Sequence, residues 1–178
     1  MKKIIALYGK PGTRLDEAME KILTLPNVGP VKQYTNNLKM TRGKKYTYFL
    51  DDADYIVKVS NGEIIEARVD ENKNVIGSWL PGGHDVYVGV FSRYAIEIMQ
   101  SENINQVFAL EIRTKDDLRL KNLIKKYGAY EAARRFLDES DWEGTTYFRE
   151  GFDYLYYEDN TTSRKFKGLL SLLDNFVK

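Results

Sequence analysis

The stretch Lys3-Ile4-Ile5-Ala6-Leu7-Tyr8, followed by Gly9-Lys10-Pro11-Gly12-Thr13-Arg14-Leu15-Asp16-Glu17, decides how this chain is read. Apolar side chains occupy both faces of residues 3–8, the mark of a strand buried inside a parallel sheet. A glycine-containing turn follows. Leu15, Ala18, Met19, Ile22 and Leu25 then recur at helical spacing, which predicts a helix from Thr13 or Arg14 to Leu25, stopped by Pro26. Strand, glycine turn and helix N-terminus in that order build a phosphate-binding loop, whose pattern is G-x-x-x-x-G-K-[ST]. Gly9 and Gly12 fit such a loop. Arg14 stands where the second Gly belongs, and Leu15 where the Lys belongs. The loop is expected with its backbone but without its central charge.

Beyond this stretch the pattern continues as alternating strands and helices. Asp85–Phe91 (DVYVGVF) and Gln106–Ile112 (QVFALEI) read as two more core strands, with a helix over Arg93–Gln100 between them. Asp116–Tyr127 and Tyr130–Leu137 read as helices broken at Gly128. Asp153–Tyr157 is a late strand, and Ser163–Val177 a closing amphipathic helix. Between the first helix and the second core strand lies a polar, aromatic-rich region. It is read as short strands at Val31–Thr35, Lys45–Leu50 and Glu63–Val69, a short helix at Asp51–Val59 and a turn at Asp70–Asn74. Pro81-Gly82-Gly83 marks a loop, and His84 after it reads as a loop residue. Strands alternating with helices imply an α/β fold with a parallel sheet covered by helices on both faces.

Bulk composition bounds the chemistry. At 178 residues the chain suits one domain with a small lid or insert. With no Cys, disulfides and thiolate metal sites are excluded, and the single His argues against a His-based zinc site or a Ser-His-Asp triad. A net charge of +1 argues against a dedicated duplex-DNA binder. No apolar run approaches the ~20 residues of a membrane span. Met1-Lys2-Lys3 leads directly into a strand without a signal-peptide h-region, so a cytoplasmic protein is expected.

Several of these segments carry a shared resemblance. The opening MKKIIALYGKPG, the strand Asp85–Ser92, the run Glu131-Ala132-Ala133-Arg134-Arg135-Phe136 and the segments Phe152–Tyr154 and Glu158-Asp159-Asn160 together resemble the guanylate kinase-like nucleoside monophosphate kinases. Within them, the phage-encoded deoxynucleoside monophosphate kinases are most similar, which suggests a phage protein acting in a host cytoplasm. That family's loop commonly continues as S-G-K-D-T. Asp16 fits its Asp, while Arg14, Leu15 and Glu17 depart from its Gly, Lys and Thr. Near the family's T-T-R-x-x-R-x-G-E stand Tyr34-Thr35-Asn36, Lys39 and Arg42-Gly43, with Asn36 in place of the first Arg. Tyr46–Leu50 is similar to its Y-x-F segment, Gly62–Ala67 to G-E-x-x-E-W, and Asn74–Ser78 to N-Y-Y-G-T.

The resemblance implies a P-loop core over residues 1–30 and 79–178, an acceptor-binding insert over about 31–78 and a helical lid over about 121–140. It implies transfer of the ATP γ-phosphate to a nucleoside or deoxynucleoside monophosphate (NMP or dNMP). Gly9, Lys10, Gly12 and Thr13 would hold the ATP phosphates. Arg134, Arg135 and Arg14 would stabilise the transferring group. Lys39, Arg42, Tyr48, Glu66 and Ser78 would bind the acceptor, with Glu66 reading the base, and Asp16 would position Mg²⁺ through water. Each assignment has a plainer counterpart: a remnant loop, a solvated helix face for Lys121, Lys125, Lys126, Arg134 and Arg135, a basic surface loop for Lys39, Arg42, Lys44 and Lys45, an outward charge at Glu66, and a helix-dipole role for Asp16. Two readings stand: a kinase, or a kinase-derived scaffold that binds a nucleotide or a protein partner.

Overall fold

A computed structural model describes residues 1–69, 73–102, 105–140, 153–157, 166 and 168–178. Among these residues, nine strands form two sheets. The larger sheet contains β1 (Lys3–Tyr8), β2 (Val28–Pro30), β7 (Val86–Val90), β8 (Gln106–Arg113) and β9 (Tyr154–Tyr157), ordered β2-β7-β1-β8-β9. Every pairing in it is parallel. The alternation along β1 explains why both faces must be covered. Ile5 and Leu7 enter a cluster with α1 (Leu15–Ile22) and α6 (Leu169–Val177), while Ile4 and Ala6 enter another with α3 (Arg93–Glu102). All four of these strand residues are fully buried, and each buried Ile or Leu contributes about 1.5–3 kcal/mol. The connection through α1 runs toward one edge of the sheet and that through α3 toward the other. Right-handed crossovers in opposite directions place those helices on opposite faces.

The second sheet has four strands, ordered β4-β3-β6-β5: β3 (Lys32–Thr35), β4 (Thr47–Phe49), β5 (Ile64–Val69) and β6 (Val75–Trp79). On one side it packs α2 (Asp52–Ser60), whose N-terminus is capped by the Asp51 carboxylate accepting from the Asp54 amide at 2.8 Å. Tyr34, Leu50 and Trp79 are buried there with Tyr55. A bulge in β5 between Ile64 and Glu66 puts two residues opposite one. Ile65 is thereby delivered to the α3-side core cluster, while Glu66 stays opposite Ser78.

Sequence expectations and structure part in several places. The first helix ends at Ile22 rather than Leu25. The Thr24 hydroxyl there bonds back to the Lys21 carbonyl at 2.7 Å, offering the backbone an alternative to another helical turn. Strands β2 and β6 were not anticipated. β2 is three residues containing Gly and Pro, too short for periodicity, and the His84 ring lies where a Cβ on Gly29 would sit. His84 thus packs against this edge strand. α5 runs Ala129–Ser140, longer than expected, after α4 (Asp116–Tyr127). The expected segments Phe152, Glu158–Asn160, residues 70–72 of the Asp70–Asn74 turn, and the first part of the Ser163–Val177 helix lie outside the described residues, apart from Phe166.

Candidate functional site

The C-terminal ends of parallel strands form the crevice where open α/β sheets bind ligands, and the Gly9–Arg14 loop leaves β1 at that end. Two glycines are required there by close approach. A Cβ on Gly9 would lie 2.8 Å from the Ile112 carbonyl of β8. One on Gly12 (φ +86°) would lie 2.4 Å from the Arg119 carbonyl of α4. Helix α4 holds the loop from outside. Arg119 Nε donates to the Pro11 carbonyl at 3.1 Å, and Asn122 Nδ2 to the Gly12 carbonyl at 2.9 Å. In a trans peptide C=O and N–H point oppositely, so the Gly12 amide points away from the Arg119 side chain that holds the Pro11 carbonyl. The Thr13 amide is taken by the Lys10 carbonyl at 2.9 Å. The Thr13 hydroxyl is buried and has no hydrogen-bond partner among the described residues.

The side chains flanking the loop take several directions. Leu15 packs against the core cluster. Arg14 folds back onto Glu17, with Nε donating to Oε1 at 2.6 Å, and lies at the N-cap position of α1. Lys10 is partly buried and Asp16 exposed, in the first turn of α1. Arg134 and Arg135 on α5 both bind Glu131, at 3.0 Å and 2.8 Å. Those two bonds, Arg134 first, hold the Glu131 carboxyl below the usual carboxylate range. Arg119 is the residue that sequence reading missed. It is 4 % exposed, pairs with Asp116 at 2.7 Å and lies 5.1 Å from the Phe136 ring, linking the loop to α5. A lone Arg on a charged helix carries no sequence signal of burial.

The second sheet presents one polar row toward the first. Thr47 pairs with Gln33, Gln33 with Ser78, and Ser78 with Glu66, and directly paired residues share a face. The Thr47 hydroxyl donates to Gln33 Oε1 at 3.4 Å, and the Ser78 hydroxyl to Glu66 Oε1 at 2.7 Å. Gln33 Nε2 donates to the Val90 carbonyl at the end of β7 (3.2 Å), and Arg68 to the Ser92 hydroxyl (3.5 Å), so the row faces the strand ends. Burial pushes the Glu66 carboxyl above its ordinary value, against the opposing pull of the Ser78 hydrogen bond.

Tyr48 stands apart from that row. It pairs with Tyr34 in the alternate row and sits edge-on to Trp79 with ring centroids 5.4 Å apart, on the face away from Glu66 and Ser78. Period-two alternation separates it from them. Lys39 and Arg42 stand apart as well. They are exposed in and after the single turn Leu38–Thr41, while Lys44 and Lys45 reach the cleft. That cleft encloses about 430 Å³ between α1, the end of β7 and the loop before β4, with Asp16, Glu20, Gln33, Lys44, Lys45 and Lys126 among its lining. Its size falls in the roughly 300–1,000 Å³ of ligand pockets. Lys45 binds Glu20 at 2.7 Å and the Tyr46 hydroxyl donates to Glu20 at 3.1 Å, so Glu20 lies below the usual carboxylate range, Lys45 being the larger cause.

A parallel sheet flanked by helices on both faces, with a glycine loop at its centre and a second sheet over its strand ends, defines a nucleotide-kinase type of α/β fold. Comparison with solved structures specifies it. The chain is similar to guanylate kinase from Anaplasma phagocytophilum, with TM-score 0.59 at 18% identity over 99% of this chain and 84% of that one. It is also similar to an uncharacterized protein from Eubacterium ventriosum ATCC 27560, with TM-score 0.51 at 12% identity over 99% and 98%. The fold is guanylate kinase-like. No protein-family model and no curated protein matches the sequence. Among the described residues no helix is long and apolar enough to cross a membrane.

Proposed function

We propose that this chain is a nucleoside or deoxynucleoside monophosphate kinase that uses ATP as donor. One observation carries the reading: the Thr47–Gln33–Ser78–Glu66 row faces the end of the sheet from which the phosphate-type loop leaves. Its outer members are three strand spacings apart, about 14 Å, room for an acceptor laid across it with its base at Glu66 and its phosphate toward the cleft. An ionised carboxylate only accepts, so Glu66 suits a base edge that offers N–H donors, as guanine does. Phosphoryl transfer asks the protein for position and charge stabilisation. The Gly12 amide and the Thr13 hydroxyl would hold the donor phosphates, and Arg134 and Arg135, once released from Glu131, would meet the charge on the transferring group. Mg²⁺ would arrive with ATP, and Asp16 would hold it through water. That ion would neutralise charge between the phosphates.

A second reading has its own support. Leu15 packs into the core where a loop Lys would stand, and both α5 arginines are paired with Glu131, as expected of a scaffold that binds a nucleotide or protein without transfer. The deciding experiment is transfer from ATP–Mg²⁺ to a panel of NMPs and dNMPs, beside Arg135→Ala. Transfer that the variant loses supports the kinase and names its acceptor. No transfer at high protein concentration selects the binding scaffold.

A further inference from the structure

Helix α4 holds two consecutive peptides of the Gly9–Arg14 loop, and it holds them with different chemistry. The Gly12–Thr13 peptide receives a neutral donor, Asn122 Nδ2, on its carbonyl at 2.9 Å. Its own N–H is spent on the Lys10 carbonyl at 2.9 Å. The Pro11–Gly12 peptide receives the Arg119 guanidinium on its carbonyl at 3.1 Å, and among the described residues its N–H has no acceptor. The charged donor therefore stands behind the one of these two amides that stays open. That guanidinium is kept from water, with a side chain 5 % exposed and the Phe136 ring of α5 5.1 Å away. Its partner Asp116 has a side chain 75 % exposed, so solvent screens the carboxylate more than the cation. Arg14, the arginine within the loop, is instead folded onto Glu17.

We propose that Arg119 is a positioning cation for this loop, charging it from behind through the Pro11–Gly12 peptide. A guanidinium on the carbonyl polarises the peptide group, and linked hydrogen bonds strengthen one another. The Gly12 N–H thereby becomes a stronger donor to an anion on its other side. The cation stands roughly 8 Å from an anion oxygen bound to that N–H. At an effective dielectric of about 20, a unit charge at that separation alters anion affinity on the order of tenfold. Arg119 does not touch the ligand and acts only through the peptide and its field. Phe136 makes this charge depend on α5, because the field keeps its strength while the ring excludes water from the guanidinium. The inference rests on the kinase reading for the nature of the anion, the phosphates of a nucleoside triphosphate. It goes beyond that reading by locating the loop's positive charge on α4, where the kinase reading leaves Leu15 uncharged.

The test is titration of the whole chain with inorganic pyrophosphate, followed by calorimetry and by the ¹H–¹⁵N signal of Gly12. Arg119→Gln can keep a hydrogen bond to Pro11 without the charge, Arg119→Lys keeps the charge, and Phe136→Leu uncovers it. Asn122→Ala loosens the same loop without changing charge. Lys115→Gln removes a charge from an exposed position at the start of the same helix. In wild type, pyrophosphate is expected to move the Gly12 amide proton downfield. Arg119→Gln should bind about tenfold more weakly with a smaller Gly12 shift, and Arg119→Lys should recover most of that affinity. Phe136→Leu should lose a few-fold, Asn122→Ala less than Arg119→Gln, and Lys115→Gln should stay near wild type. An unmoved Gly12 signal in wild type overturns the proposal. So does Arg119→Gln binding as tightly as wild type, or no more weakly than Asn122→Ala. Should Arg119→Gln fail to fold, Phe136→Leu decides, and wild-type affinity there overturns the proposal. Pyrophosphate binding with this charge dependence, but no transfer from ATP to any acceptor, leaves the role of Arg119 standing and removes the kinase. Transfer unchanged in Arg119→Gln does the reverse.

Discussion

Glu66 holds a carboxyl in a half-buried row between two sheets, and burial raises its pKa. The folded chain therefore retains a proton that the unfolded chain gives up near the ordinary value of 4.5. In that window the native state binds more protons, so stability falls as pH rises from about 4.5 through the folded pKa and levels above it. Glu66→Gln keeps an oxygen for the Ser78 hydroxyl and carries no charge to desolvate. It should be at least as stable as wild type at neutral pH, with an advantage that vanishes toward acid. Urea unfolding of both proteins across pH 4 to 8 measures this, and a constant difference would contradict it. The same variant should lose acceptor discrimination. Residue-scale legibility was uneven. Glu66 and Ser78 could be named from motifs that keep Gly62, Glu63, Glu66 and Gly77 but have lost the pattern's Trp and both its tyrosines, whereas the row in which Tyr48 stands was not legible, because a shift of one residue in a strand changes the face.

Helix α4 is the element that shapes the loop, because the carbonyls it binds set the direction of the opposite amides. Arg119 is nearly fully buried, so its bond to Pro11 is not diluted by solvent. Arg119→Ala should cost about 2–3 kcal/mol, as for loss of a charged donor that leaves its acceptor unpaired. Asn122→Ala should cost about 1 kcal/mol. Both are read from the urea midpoint at unchanged slope; an unmoved midpoint for Arg119→Ala would mean that the loop is held elsewhere. Neither residue was marked by sequence, since both look like ordinary polar positions on a charged helix. Long elements with clear periodicity, β1, β8 and α4, were legible. The short strands β2 and β6 were not, because three to five residues with internal glycine owe their conformation to the partners that hydrogen-bond them.

At the scale of the whole molecule, the proposed kinase reading sets stability against chemistry at Leu15. Leu15 contributes apolar packing to the cluster under α1 and α6, where a Lys would contribute charge toward the crevice. Replacing both residues, Arg14→Gly with Leu15→Lys, should cost about 1–2 kcal/mol of burial, the Lys stem recovering part of it. If the acceptor row binds an NMP, the same change should raise transfer by roughly 100- to 1000-fold, the worth of one preorganised donor. Coupled assays and unfolding curves on the double variant read both. A stability loss with no gain in transfer would favour the binding scaffold.

Sequence by itself determined the α/β class, the central strand and the glycine turn that follows it, because continuous apolar runs and helical spacing are local signals of burial. It also determined that no cysteine chemistry is available. Tertiary structure alone decided which of the polar residues converge. Register placed Gln33, Ser78 and Glu66 in one row and turned Tyr48 from it; packing buried Arg119 against the loop; chain path brought Lys126 and Glu20 to the same cleft as Lys45. Those choices depend on contacts between residues far apart in the chain, and charged side chains at a surface look alike in sequence until the fold brings them together.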